Sequence, residues 1–166
     1  AGAFIEALCR LIKRMAVDRL HVVGDIYDRG ARPDRILDML MEHHRVDIQW
    51  GNHDIVWMGA AAGSAVCVAT VLNSALQYNT LAIVENTYGI SLRDLIGFAQ
   101  ETYKGCTWFM PRSEDDAYYV KNRMDTLSKA HKAIAIIMFK LEGQLIRRHP
   151  EYGMDDRLLL EHIDYT

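Results

Sequence analysis

Two short polar motifs, each led by glycine and each following a strand-like run, constrain this chain more than any other feature. The first, Gly24-Asp25-Ile26-Tyr27-Asp28-Arg29-Gly30, leaves Leu20-His21-Val22-Val23, and the second, Gly51-Asn52-His53-Asp54, leaves Asp47-Ile48-Gln49-Trp50. Between them Ile36, Leu37, Leu40 and Met41 repeat at helical spacing up to His43, behind Pro33, a residue suited to a first helical turn. Strand, crossover helix and strand make a βαβ unit with both motifs at strand carboxyl ends. In open α/β sheets that edge is where ligands bind.

The residue types in the motifs suit phosphate ester hydrolysis at a two-metal centre. That reaction needs the phosphoryl oxygens neutralised, the attacking water acidified and the leaving oxygen protonated. Two cations about 3.5–4 Å apart do the first two jobs. A carboxylate such as Asp25 can bridge two cations, and the Asn52 carboxamide adds a hard oxygen without adding charge. His53 is then the natural proton donor. Its imidazole, close to cations, needs a carboxylate to hold it charged and oriented, for which Asp28 is the first choice and Asp54 the second. Arg29 offers a planar fork to a substrate phosphate. Gly24, Gly30 and Gly51 fit sharp turns that let backbone approach closely. One such dipeptide after a strand is commonplace, whereas both motifs in this order, one helix apart, are hard to obtain from turn chemistry alone.

GDxxDRG and GNHD resemble the signature of the calcineurin-like metallophosphatase superfamily. Ile48-Gln49-Trp50-Gly51-Asn52-His53-Asp54-Ile55-Val56-Trp57-Met58-Gly59-Ala60-Ala61 and Tyr88-Gly89-Ile90-Ser91-Leu92-Arg93 narrow the likeness to the class III fructose-1,6-bisphosphatases of Firmicutes and related bacteria. The resemblance implies hydrolysis of fructose 1,6-bisphosphate to fructose 6-phosphate in gluconeogenesis with two divalent ions, usually manganese. It carries the bridging ligand to Asp25, a second-metal ligand to Asn52, the general acid to His53, its partner to Asp28 and a phosphate contact to Arg29. On the same motifs a protein Ser/Thr phosphatase or a dinucleotide polyphosphate hydrolase remains open, as does a helical interaction module that keeps the motifs as a relic.

The family also uses an Asp-x-His motif before the first helix and later histidines, usually including a Gly-His pair, and this sequence has neither. The expectation is therefore an internal fragment with the remaining metal ligands outside this chain, inactive by itself. A bare sheet edge and apolar surface would then favour self-association. His131, His149 and His162 fall in helical or helix-terminal patterns and read as surface or capping residues.

The fold class expected is α/β, predominantly helical by content: a partial metallophosphatase core over residues 1–58, then a helical segment over 59–166. Fifty per cent hydrophobic residues suffice for a packed core. A net charge of −3 with no run of Lys or Arg argues against a nucleic-acid surface. Cys9, Cys67 and Cys106 stand far apart without a CxxC, as in a reducing cytosol, and no signal peptide is read, so the location expected is cytoplasmic.

Ile55 to Leu72 carries no charge and holds a GxxxG pattern at Gly59 and Gly63, but its Ala, Gly, Ser and Thr content favours a helix buried on all sides over a membrane span. Phe4, Ile5, Leu8, Leu11, Ile12 and Met15 predict a first helix laid on the sheet. Ser91 with Asp94 and Ser113 with Asp116 read as capping boxes. A long helix is expected over 122–148, stopped by Pro150, with a short one over 155–162. Trp108-Phe109 and Tyr118-Tyr119 read as core-packing or domain-contact aromatics rather than a sugar platform. Arg112, Lys121, Arg123, Arg147 and Arg148 read as solvated charges rather than a second phosphate site.

Overall fold

The computed structural model describes residues 2–112 and 121–162, with side chains from 124 in the second stretch. The chain divides into two compact units, Ala1–Ile55 and Val56–Thr166. It is mostly helical, with one small parallel sheet.

In the first unit, α1 (Gly2–Ala16) precedes β1 (Leu20–Val22), and α2 (Pro33–Glu42) crosses over to β2 (Val46–Ile48). The strands are parallel, with Leu20, His21 and Val22 opposite Val46, Asp47 and Ile48. The βαβ unit read from the sequence is therefore present, with one residue between β1 and its motif and two between β2 and its motif. Pro33 starts α2 and is buried, its missing N–H costing nothing in a first turn. Across the sheet His21 Nδ1 lies 2.7 Å from Asp47 Oδ2. The hydrogen bond from His21 holds the Asp47 carboxyl below its ordinary range.

α1 forms where the periodicity predicts, but it is not laid on a sheet. Phe4, Ile5, Leu8, Leu11, Ile12 and Met15 are all exposed, and no residue of the helix is buried. The pattern specifies which face is apolar and says nothing of what covers it.

α3 (Asn52–Ala61) carries the chain into the second unit, where α4 (Ala65–Gln77), a π-helical turn (Ile83–Thr87), α5 (Arg93–Thr102) and α6 (Lys121–Arg148) follow. The core lies between α4, the π turn, α5 and α6. Leu76, Leu81, Val84, Leu92, Leu127 and Ile134 fill it, and Ala69, Ala75, Ala99, Ala130 and Ala133 let the helices approach closely. The uncharged stretch 55–72 is thus two helices rather than one. Gly63 at φ +90° breaks it, and Ser64 restarts it by accepting a hydrogen bond from Cys67 N at 3.4 Å. Nor is the stretch buried on all sides, since Ile55, Met58 and Val68 are exposed. Among the described residues no helix is long and apolar enough to cross a membrane.

Other boundaries differ in detail. Ser91 Oγ accepts from Arg93 N at 3.3 Å, but the N-cap position is Leu92, so Ser91 and Asp94 do not form the reciprocal box. The segment 155–162 is two 3-10 turns, Asp155–Arg157 and Leu159–His162, not an α-helix. Ser113 with Asp116 and Tyr118-Tyr119 lie outside the described residues, as do the side chains of Lys121 and Arg123.

Candidate functional site

After β1 the backbone makes a left-handed excursion, with Gly24 at φ +91° and Asp25 at φ +54°. For a residue with a Cβ that conformation costs about 1–2 kcal/mol, so surrounding contacts have to hold it. A Cβ at Gly24 would strike Gly51 N and Gln49 O, and one at Gly51 would strike the Asp25 carboxylate and backbone N. The two motifs therefore meet backbone to backbone, and glycine is required at both points. Gly30 differs: it has open space and no positive φ, so neither a close approach nor a left-handed backbone requires glycine there.

Two carboxylates join the loops. Asp25 Oδ1 accepts from His53 N at 3.4 Å, which turns this exposed side chain toward the start of α3. Asp54 is 1% exposed and accepts from Tyr27 N at 3.0 Å through Oδ1 and from Gly51 N at 2.9 Å through Oδ2. With α3 starting at Asn52, Gly51 is the N-cap and Asp54 the third helical residue. Its bond back to Gly51 N is one half of a capping box.

The His53 imidazole sits on Asp28, with Nε2 3.2 Å from Oδ1. Arg29 Nε donates to the same oxygen at 3.2 Å. Asp28 thus holds both the histidine and the arginine. Asp54, the other candidate partner for His53, has both oxygens on backbone amides.

Comparison with known proteins matches residues 1–166 to the model of the Firmicute fructose-1,6-bisphosphatase family. The chain belongs to that family. It is 54% identical over 99% of its length to a class 3 fructose-1,6-bisphosphatase of Listeria innocua, of which it covers 26%. It is 52% identical, over its whole length, to one from Clostridium beijerinckii, again covering 26%. Against the Alkaliphilus metalliredigens protein of the same name the identity is 50% over 99% of this chain and 25% of the relative. The chain thus spans about a quarter of the curated relatives it matches. No solved structure matches it.

The remaining candidates stand apart from the motif loops in chemistry. His131, expected at the surface, is 7% exposed. Its Nδ1 donates to Phe109 O at 3.0 Å and its ring meets Phe109 edge-on with centroids 5.2 Å apart. Burial lowers its pKa, and nearby Arg112 adds to this while the Phe109 carbonyl opposes it. Trp108, the residue before Phe109, is 90% exposed and packs into no core, which removes the core half of the reading of that pair. His149 lies on the surface, 2.8 Å from Glu151 Oε1 and stacked on Tyr152, and His162 is exposed. Arg147 pairs with Glu161, and Arg148 Nε donates to Gln144 O at 3.2 Å. Among the described residues no group of three or more His, Cys, Asp and Glu side chains is placed to hold a metal ion. Asp25 and Asn52 are exposed, whereas the Asp28 and Asp54 carboxylates of the same motifs are engaged by side chains and by backbone amides.

The sequence reading offered Asp54 as the second choice, after Asp28, for the partner of His53 and missed its hold on two amides. The signal was available in the spacing Gly51-x-x-Asp54 at the start of a helix, the N-cap to third-residue separation of a reciprocal cap.

Proposed function

We propose that this chain carries part of the active site of a metal-dependent phosphoric monoester hydrolase that converts fructose 1,6-bisphosphate to fructose 6-phosphate and phosphate in the cytoplasm, as a step of gluconeogenesis. The observation that supports it best is the placing of His53 on Asp28, with Arg29 on the same carboxylate, beside the exposed Asp25 carboxylate. The substrate follows from the names of the relatives. The motif loops fit the βαβ core of a metallophosphatase.

The donor set fits hard divalent cations: Asp25 brings charge, Asn52 a neutral oxygen, and the absence of a side chain at Gly51 leaves the Asp25 carboxylate room. Two such ions, manganese by family resemblance, would be held by Asp25 and Asn52 together with ligands from elsewhere in the full-length protein, and would supply charge neutralisation and an acidified water. Asp28 takes one N–H of protonated His53 at Nε2, which fixes the ring and leaves the Nδ1 proton for the leaving sugar oxygen. Arg29, whose Nε donates to Asp28, is the planar cation that would meet a phosphate of the substrate.

Replacing His53 by Asn in the full-length enzyme tests the assignment. Metal content should be unchanged, and turnover of the bisphosphate should fall by roughly 10²–10⁴-fold, the usual contribution of a positioned general acid. A nitrophenyl phosphate, whose leaving group needs no proton, should be affected far less. Equal losses on both substrates would overturn the role given to His53.

A further inference from the structure

We infer that Asp54 is a positioning residue that sets the register of the two ligand-bearing loops, so that Asp25 and Asn52 face one another before any ion arrives. The inference rests on the functional reading above and extends it to a residue outside the metal, acid and phosphate roles. Asp54 is buried, and its two carboxylate oxygens go to two different loops: Tyr27 N, two residues after Asp25, and Gly51 N, next to Asn52. A buried carboxylate without cationic partners is costly, and here two N–H groups and the positive end of α3 offset that cost. The same pair of bonds ties the left-handed turn at Asp25 to the first turn of α3.

Ligand-supporting contacts of this kind are typically worth 10–100-fold in metal affinity or activity. Asparagine is the discriminating substitution. It keeps the shape but can satisfy only one of the two amides, turning its own NH₂ against the other. Glutamate keeps both oxygens and is the conservative control.

Amide exchange in this chain, followed residue by residue, is one arm of the test. The Tyr27 amide belongs to no helix or strand, so its protection in the wild type reports the Asp54 bond, and exchange there at the unfolded-chain rate would overturn the inference without any variant. Asp54→Asn should speed exchange at Tyr27 and Gly51 by about tenfold or more. The Gln49 amide, bonded to Val22 O at 2.8 Å, should not change, and Asp54→Glu should restore protection. Acceleration at Gln49 by the same factor would mean that Asp54 merely stabilises the fold.

The second arm is the full-length enzyme. Asp54→Asn should raise the Mn²⁺ concentration for half-maximal activity by roughly 10–100-fold while kcat at saturating Mn²⁺ stays within a few-fold. An unchanged Mn²⁺ requirement would overturn the positioning role. A wild-type enzyme with no metal-dependent hydrolysis would instead sink the functional reading, and the exchange arm alone would then decide whether Asp54 ties the loops.

Discussion

Asp28 shows how much chemistry rests on single atoms in this chain. One of its oxygens receives both His53 and Arg29, so loss of that carboxylate removes a contact from both side chains at once. The roles proposed for Asp25, Asn52, His53, Asp28 and Arg29 come from residue type, spacing and family resemblance, and of these the structure brings His53 and Arg29 onto Asp28. His131 could not be read in this way. Its surroundings come from Phe109, 22 residues away, and nothing in the helical pattern announces that contact. The structure makes its protonation a stability matter. Burial holds the folded-state pKa below the ordinary 6.5, so the folded form favours the neutral ring. The His131 contribution is then complete above about pH 6.5 and is lost as pH falls from there toward the lower folded pKa. The gap in thermal midpoint between wild type and His131→Gln should narrow between pH 7.5 and 5.5. A gap constant over that range would contradict the burial argument.

Among the elements, helix periodicity identified α1, α2 and α6 well, because an apolar stripe is a property of a single segment. What covers a stripe is a property of the rest of the protein. α1 is the clearest case, its stripe formed and its partner misassigned. The uncharged run 55–72 failed for a different reason: hydropathy outweighed Gly63-Ser64, whose left-handed turn and cap divide it. Long-range ties between elements were likewise invisible. Ser128, fully buried in α6, donates to Cys106 O at 2.6 Å and accepts from Cys106 N at 3.0 Å, fixing the segment after α5 against α6. Removing its hydroxyl leaves two backbone groups without their partner. Ser128→Ala should therefore cost about 2 kcal/mol. Urea denaturation should show it as a lower midpoint, whereas a midpoint equal to wild type would mean that water or a shifted backbone replaces the hydroxyl.

For the whole molecule, the βαβ order and the helical remainder were both legible, and the family followed from motifs joined to the flanking residues. The ligand set as a whole was not, because this chain spans about a quarter of its relatives and only Asp25 and Asn52 are proposed as donors within it. The account stands or falls on whether those donors bind metal. The direct test is the manganese content of the full-length enzyme, wild type against Asp25→Asn, measured after equilibration with Mn²⁺ and gel filtration, alongside hydrolysis of fructose 1,6-bisphosphate. A neutral amide bridges two cations poorly, so the variant should lose bound manganese and hydrolysis together. An Asp25→Asn enzyme that keeps the wild-type metal content and rate would contradict the account.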